Sequence, residues 1–104
     1  MKINNYIVLE FSSRSANEAF ARQAVAAFAA QLDPTLEELS DLKTAVSEAV
    51  TNAIIHGYGC NKECFVVLRV IVNNRNITII VQDYGKGIED IESVKKPFFT
   101  PLAF

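Results

Sequence analysis

The sequence predicts a two-layer α+β sandwich, with helices packed on one face of a largely antiparallel sheet. Three observations predict it. Apolar segments follow the order strand, helix, helix, strand, strand. The last two strand-like segments flank a short asparagine-rich turn. Both helical segments open on the Ser/Thr-x-x-Glu spacing of a capping box. The 104 residues suffice for one domain and not for two.

Asn5 to Phe11 is rich in β-branched and aromatic residues and reads as a strand that Ser12 and Ser13 end. Ser15 and Glu18 then form the first capping-box pair, and a helix is expected from about Ala16 to Gln31. Phe20, Ala24, Phe28 and Leu32 recur every four residues and are expected to be its buried stripe. Asp33-Pro34-Thr35 breaks the chain, and Thr35 with Glu38 opens a second helix over about Leu36 to His56. Its stripe is Leu39, Leu42, Val46, Ala49, Val50 and Ala53, and Gly57-Tyr58-Gly59 stops it. Phe65 to Val72 and Ile77 to Gln82 read as strands joined into a hairpin by Asn73-Asn74-Arg75-Asn76, because asparagine tolerates positive φ. Beyond Asp83 the pattern becomes irregular, with a short helix expected over Ile88 to Val94 and prolines at 97 and 101 bracketing Phe98 and Phe99.

Composition narrows the function classes. Half of the residues are apolar and about a fifth charged, as in ordinary globular domains. A net charge of −2 argues against a nucleic-acid binder, since the one adjacent basic pair, Lys95-Lys96, makes no basic face. No stretch approaches a membrane span, and the start carries no apolar leader, so a cytoplasmic location without a membrane partner is expected. Cys60 and Cys64 are too few for a disulfide framework. With His56 they form His-x3-Cys-x3-Cys, but the intervening glycines should separate the three side chains, so two free thiols beside a loop are expected rather than a metal centre.

Two features carry candidate chemistry. Glu48, Asn52 and His56 are spaced four apart, drift about 40° per step, and so share one helix stripe turned away from the Val46 row. This places a carboxylate, an amide and an imidazole amid aliphatic residues, which fits either a pocket wall or a solvated face. The second is Asp83-Tyr84-Gly85-Lys86-Gly87 at a strand end. There a carboxylate could accept from an amine while the glycines admit close backbone approach, although the same pattern also serves simply to leave a strand.

Taken together, Glu-x3-Asn on a helix, a hairpin, and then Asp-x-Gly-x-Gly resemble the GHKL ATPases, whose nucleotide site is the Bergerat fold. Within that superfamily, Ser47 to Tyr58 (SEAVTNAIIHGY) and Phe11 to Arg22 (FSSRSANEAFAR) resemble the serine-kinase anti-sigma factors of spore-forming bacteria. The resemblance extends to about Thr100. It implies an ATP-dependent serine kinase that binds a sporulation sigma factor and phosphorylates an anti-anti-sigma protein, as a homodimer. Asn52 would then bind Mg²⁺, Glu48 would be the general base, Asp83 would hold the adenine amino group, and Gly85 and Gly87 would let the loop close on the base. Arg14, Glu18 and Arg22, on the polar side of the first helix, are partner-surface candidates or else a solvated i,i+4 face.

The resemblance also implies a second glycine-rich box, a further helix and more strands, none of which follows Gly87 in this sequence. The expected domain, residues 1–104, therefore lacks them. The alternative function is a partner-binding module of the same fold without catalysis. A sensor histidine-kinase fragment is disfavoured, because no phosphoacceptor helix precedes the module.

Overall fold

The computed structural model describes residues 4–56, 64–84 and 98–103. Four strands form one antiparallel sheet in the order β1-β2-β3-β4. They are β1 (Asn4–Ser12), β2 (Phe65–Asn73), β3 (Asn76–Tyr84) and β4 (Phe98–Ala103). Helices α1 (Ala16–Ala29) and α2 (Leu36–His56) intervene between β1 and β2, with a single 3₁₀ turn at Ala30–Leu32. The α+β sandwich read from the sequence is the observed architecture.

The hairpin forms as expected. Asn73 pairs with Asn76, and Asn74 takes a positive φ of 58°, which asparagine accepts at low steric cost. Arg75 reaches from this turn to donate through Nη1 to the Leu32 carbonyl at 3.0 Å, tying the hairpin tip to the end of the 3₁₀ turn. There Asp33, at φ 53°, redirects the chain into α2.

Period-two alternation sorts the sheet into faces. Val66, Leu68, Val70 and Val72 of β2 and Ile77, Ile79 and Val81 of β3 are buried. They form one core cluster with Leu42, Val46, Ala49, Val50 and Ala53 of α2 and Ala21, Val25 and Ala29 of α1. The other face leaves Tyr6, Val8 and Ile71 exposed.

Three expectations are corrected. The α1 stripe departs from the expected one at its start: Ala21, Val25, Ala26 and Ala29 are buried and Phe20 is 63% exposed, whereas Leu32 is buried as expected and Phe28 packs partly buried against the core. Small side chains let α1 approach α2 and the sheet closely, and Phe20 turned inward would hold them apart. The Ser15–Glu18 capping box does not form, because Ser15 is already helical (φ −59°, ψ −28°) and its side chain makes no cap hydrogen bond. Finally, Phe98–Ala103, read as irregular, is strand β4 against β3. Pro101 is tolerated because β4 lies at the edge, where an amide donor is dispensable. The Gly57–Gly59 stop and the Ile88–Val94 helix lie outside the described residues.

Candidate functional site

Helix α2 supplies the first half of the site. It runs without interruption from Leu36 to His56, so the four-residue spacing of Glu48 and Asn52 does place them on one stripe. Both side chains are exposed, while Ala49, Val50 and Ala53 between and beside them are buried. The helix thus turns an aliphatic face to the sheet and a carboxylate and an amide away from the core. His56 is its last residue.

The start of this helix is firmly set. The Thr35 amide donates to Glu38 Oε1 at 2.9 Å, and the Glu38 amide donates to Thr35 Oγ1 at 3.1 Å. Both halves of the capping box are therefore made, and the helical phase that carries Glu48 and Asn52 is fixed from the first turn.

Strand β3 supplies the second half. Asp83 continues the alternation of Ile77, Ile79 and Val81, and therefore lies on the face of the sheet that α2 covers. It is 5% exposed and is the one charged side chain buried among the described residues. A carboxylate occupies a position where the pattern calls for an aliphatic residue. Burying such a group is costly unless it is matched by hydrogen bonding or charge, which marks the position as one chosen for something other than packing. Gly85 and Gly87 lie outside the described residues.

A groove of about 500 Å³ runs between α1 and α2. Its walls include Arg22 and Gln23 from α1 and Lys43, Ser47 and Glu48 from α2. Arg22 and Glu48, nominated for different reasons, thus share one surface depression, which does not extend to Asn52 or Asp83. Lys43 and Ser47 were not singled out from the sequence. Their i,i+4 spacing, in line with the groove, was the signal available. Glu18 Oε2 and Arg22 Nη1 are 3.7 Å apart in an i,i+4 pair, while Arg14 precedes the helix, its amide donating to the Ser12 carbonyl.

The thiol expectation is corrected. Cys64 is disulfide-bonded. Cys60 lies outside the described residues. Among the described residues no three His, Cys, Asp or Glu side chains are grouped to hold a metal ion. No helix among them is long and apolar enough to cross a membrane.

The chain matches known proteins along most of its length. The family model described as a histidine kinase-like ATPase domain matches residues 11–100. An anti-sigma F factor of Thermoanaerobacter sp. (strain X514) is 58% identical over 100 residues, which cover 96% of this chain and 69% of that protein. An anti-sigma F factor of Clostridium perfringens (strain SM101 / Type A) is 53% identical over 98 residues, covering 94% and 70%. One of Clostridium botulinum (strain Alaska E43 / Type E3) is 57% identical over 96 residues, covering 92% and 67%.

Proposed function

This chain belongs to the histidine kinase-like ATPase family, among the anti-sigma F factors, and from that premise we propose that it holds a sporulation sigma factor inactive and phosphorylates a serine of an anti-anti-sigma protein. Membership of an ATPase family implies a nucleotide site. The observation that carries our reading of that site is the pairing of two anomalies. The exposed stripe of α2 presents Glu48 and Asn52 one turn apart, and the buried end of β3 carries Asp83.

Each residue suits its proposed role. The Asp83 carboxylate would accept from the exocyclic amine of adenine, and a buried acceptor discriminates well because leaving it unmatched is costly. Gly85 and Gly87 would admit the base. The Asn52 side-chain oxygen would hold Mg²⁺, a hard cation that takes few protein ligands and keeps water and phosphate oxygens for the rest. When bound, that ion neutralises charge on the phosphates. Glu48, exposed and one turn away, would take the proton of the serine hydroxyl as its oxygen bonds to the γ-phosphorus. The bond from that phosphorus to the β-phosphate oxygen breaks, and ADP departs.

Glu48 also lines the groove that holds Arg22, which supports a protein substrate approaching across α1 and α2. Arg14, Glu18 and Arg22 are proposed as contacts for the sigma factor or its antagonist. A homodimer is proposed through β1, an edge strand whose Tyr6 and Val8 are exposed. A cytoplasmic location follows from the same reading.

Calorimetric titration with ATP, with and without Mg²⁺, tests the site. Saturable binding strengthened by Mg²⁺ is expected, and lost in Asn52→Ala without loss of fold. Phosphate transfer to the antagonist protein is expected to disappear in Glu48→Ala. Equal labelling by wild type and variant would remove Glu48 from the mechanism, and nucleotide binding without any transfer would favour the non-catalytic partner-binding module.

A further inference from the structure

Asp83 sits one residue from the end of β3, a place where strands usually fray. A carboxylate that must meet one particular amine needs a fixed backbone. The sheet face opposite the helices provides the means. Gln82 and Tyr84 flank Asp83 in sequence and point to that opposite face by strand alternation.

Both flanking residues are braced against β2. Arg69 Nη1 donates to Gln82 Oε1 at 2.7 Å. Tyr84 stacks on Phe65, its ladder partner, with ring centroids 4.7 Å apart and planes 8° from parallel. Phe65 and Tyr84 form the last pair of the β2–β3 ladder, directly beyond Val66 and Asp83. The start of β2 is itself anchored to the chain leaving β1, since the Ser13 amide donates to the Cys64 carbonyl at 2.9 Å.

We propose that the Phe65–Tyr84 stack is a positioning clamp for Asp83. It holds the final rung of the ladder closed, so that the carboxylate one residue earlier is presented to the adenine amine in one orientation. The stack touches no nucleotide in this scheme; Phe65 and Tyr84 are positioning residues that act through Asp83. The proposal rests on the reading of Asp83 as the adenine-amine acceptor.

The test compares ATP with inosine triphosphate, which lacks the exocyclic amine, on the full chain. Phe65→Ala is expected to weaken ATP binding about fivefold to tenfold, the scale of a stacked aromatic pair, while affinity for inosine triphosphate stays unchanged. Phe65→Tyr, which keeps the ring, is expected to restore ATP binding. In an Asp83→Asn background, Phe65→Ala is expected to cost nothing further. Hydrogen exchange over Gln82–Tyr84 in the nucleotide-free chain is expected to quicken in Phe65→Ala. Equal losses for both nucleotides, a full loss in the Asp83→Asn background, or unchanged exchange would overturn the clamp. Wild type that binds ATP with no preference over inosine triphosphate would overturn the reading of Asp83, and the clamp with it. Normal wild-type preference with an unaffected Phe65→Ala variant would overturn the clamp alone.

Discussion

Helices α1 and α2 lie side by side on one face of the same sheet and are held there in different ways. Helix α2 starts on a complete capping box and buries Leu42, Val46 and Val50 with Ala49 and Ala53. Helix α1 has the same Ser-x-x-Glu spacing but does not use it. Its first turn is tied instead by Asn17, whose amide donates to the Arg14 carbonyl and whose Nδ2 donates to the Ser12 carbonyl, each at 2.9 Å. It buries Ala21, Val25, Ala26 and Ala29 and turns Phe20 outward. A capping box works only when the cap residue is extended, and the tight turn from Ser12 to Arg14 leaves Ser15 helical. The face that enters the core is set by how closely the helix must approach its neighbours, and for α1 that distance suits alanine. The more regular helix is also the one that carries Glu48 and Asn52.

Substitutions can break or sharpen this contrast. The largest effect is expected in the α2 core: Leu42→Ala, at a fully buried position, should cost about 2–5 kcal/mol in denaturant unfolding. A cost under about 1 kcal/mol would mean that α2 is not the better-packed helix. Next comes Ala21→Leu in α1, where overpacking a side chain of 0% exposure should cost about 1–3 kcal/mol. A neutral outcome would show that α1 does not need its small face. The caps follow. Thr35→Ala should lose about 1 kcal/mol, whereas Ser15→Ala should stay within about 0.5 kcal/mol. Equal losses would erase the difference drawn between the two helix starts. The smallest effect is expected for Phe20→Ala, which at 63% exposure should shift stability by no more than about 0.5 kcal/mol. A core-sized loss there would put Phe20 back in the buried stripe.

Much of this was legible in the residues. The bounds of α2 follow from Thr35, Glu38 and a long aliphatic period, all of them local signals that agree with one another. The hairpin follows from Asn74, one of few residue types that accept its φ. β4 was not legible, because Pro101 argues against a strand in any reading that does not know the segment lies at an edge. In the site, Glu48 and Asn52 stood out because helix spacing alone places them together. That Glu48 shares a depression with Arg22 could not be seen, since the groove exists only where α1 meets α2. The stack of Phe65 on Tyr84 was hidden for the same reason, the two lying 19 positions apart in the chain and opposite one another only in the paired register.

What the sequence determined by itself is therefore what nearest neighbours along the chain decide: the α+β class, where α2 starts, the hairpin turn, and the polar stripe on that helix. Each depends on backbone geometry within a turn or two, where steric preference and short hydrogen bonds act without help from the rest of the molecule. The tertiary structure decided which face of α1 is buried, which capping box is made, that a proline-bearing segment closes the far edge of the sheet, and that Asp83 is buried beneath α2. Those outcomes depend on distances between elements far apart in the chain, and close packing fixes such distances only once all the elements are present.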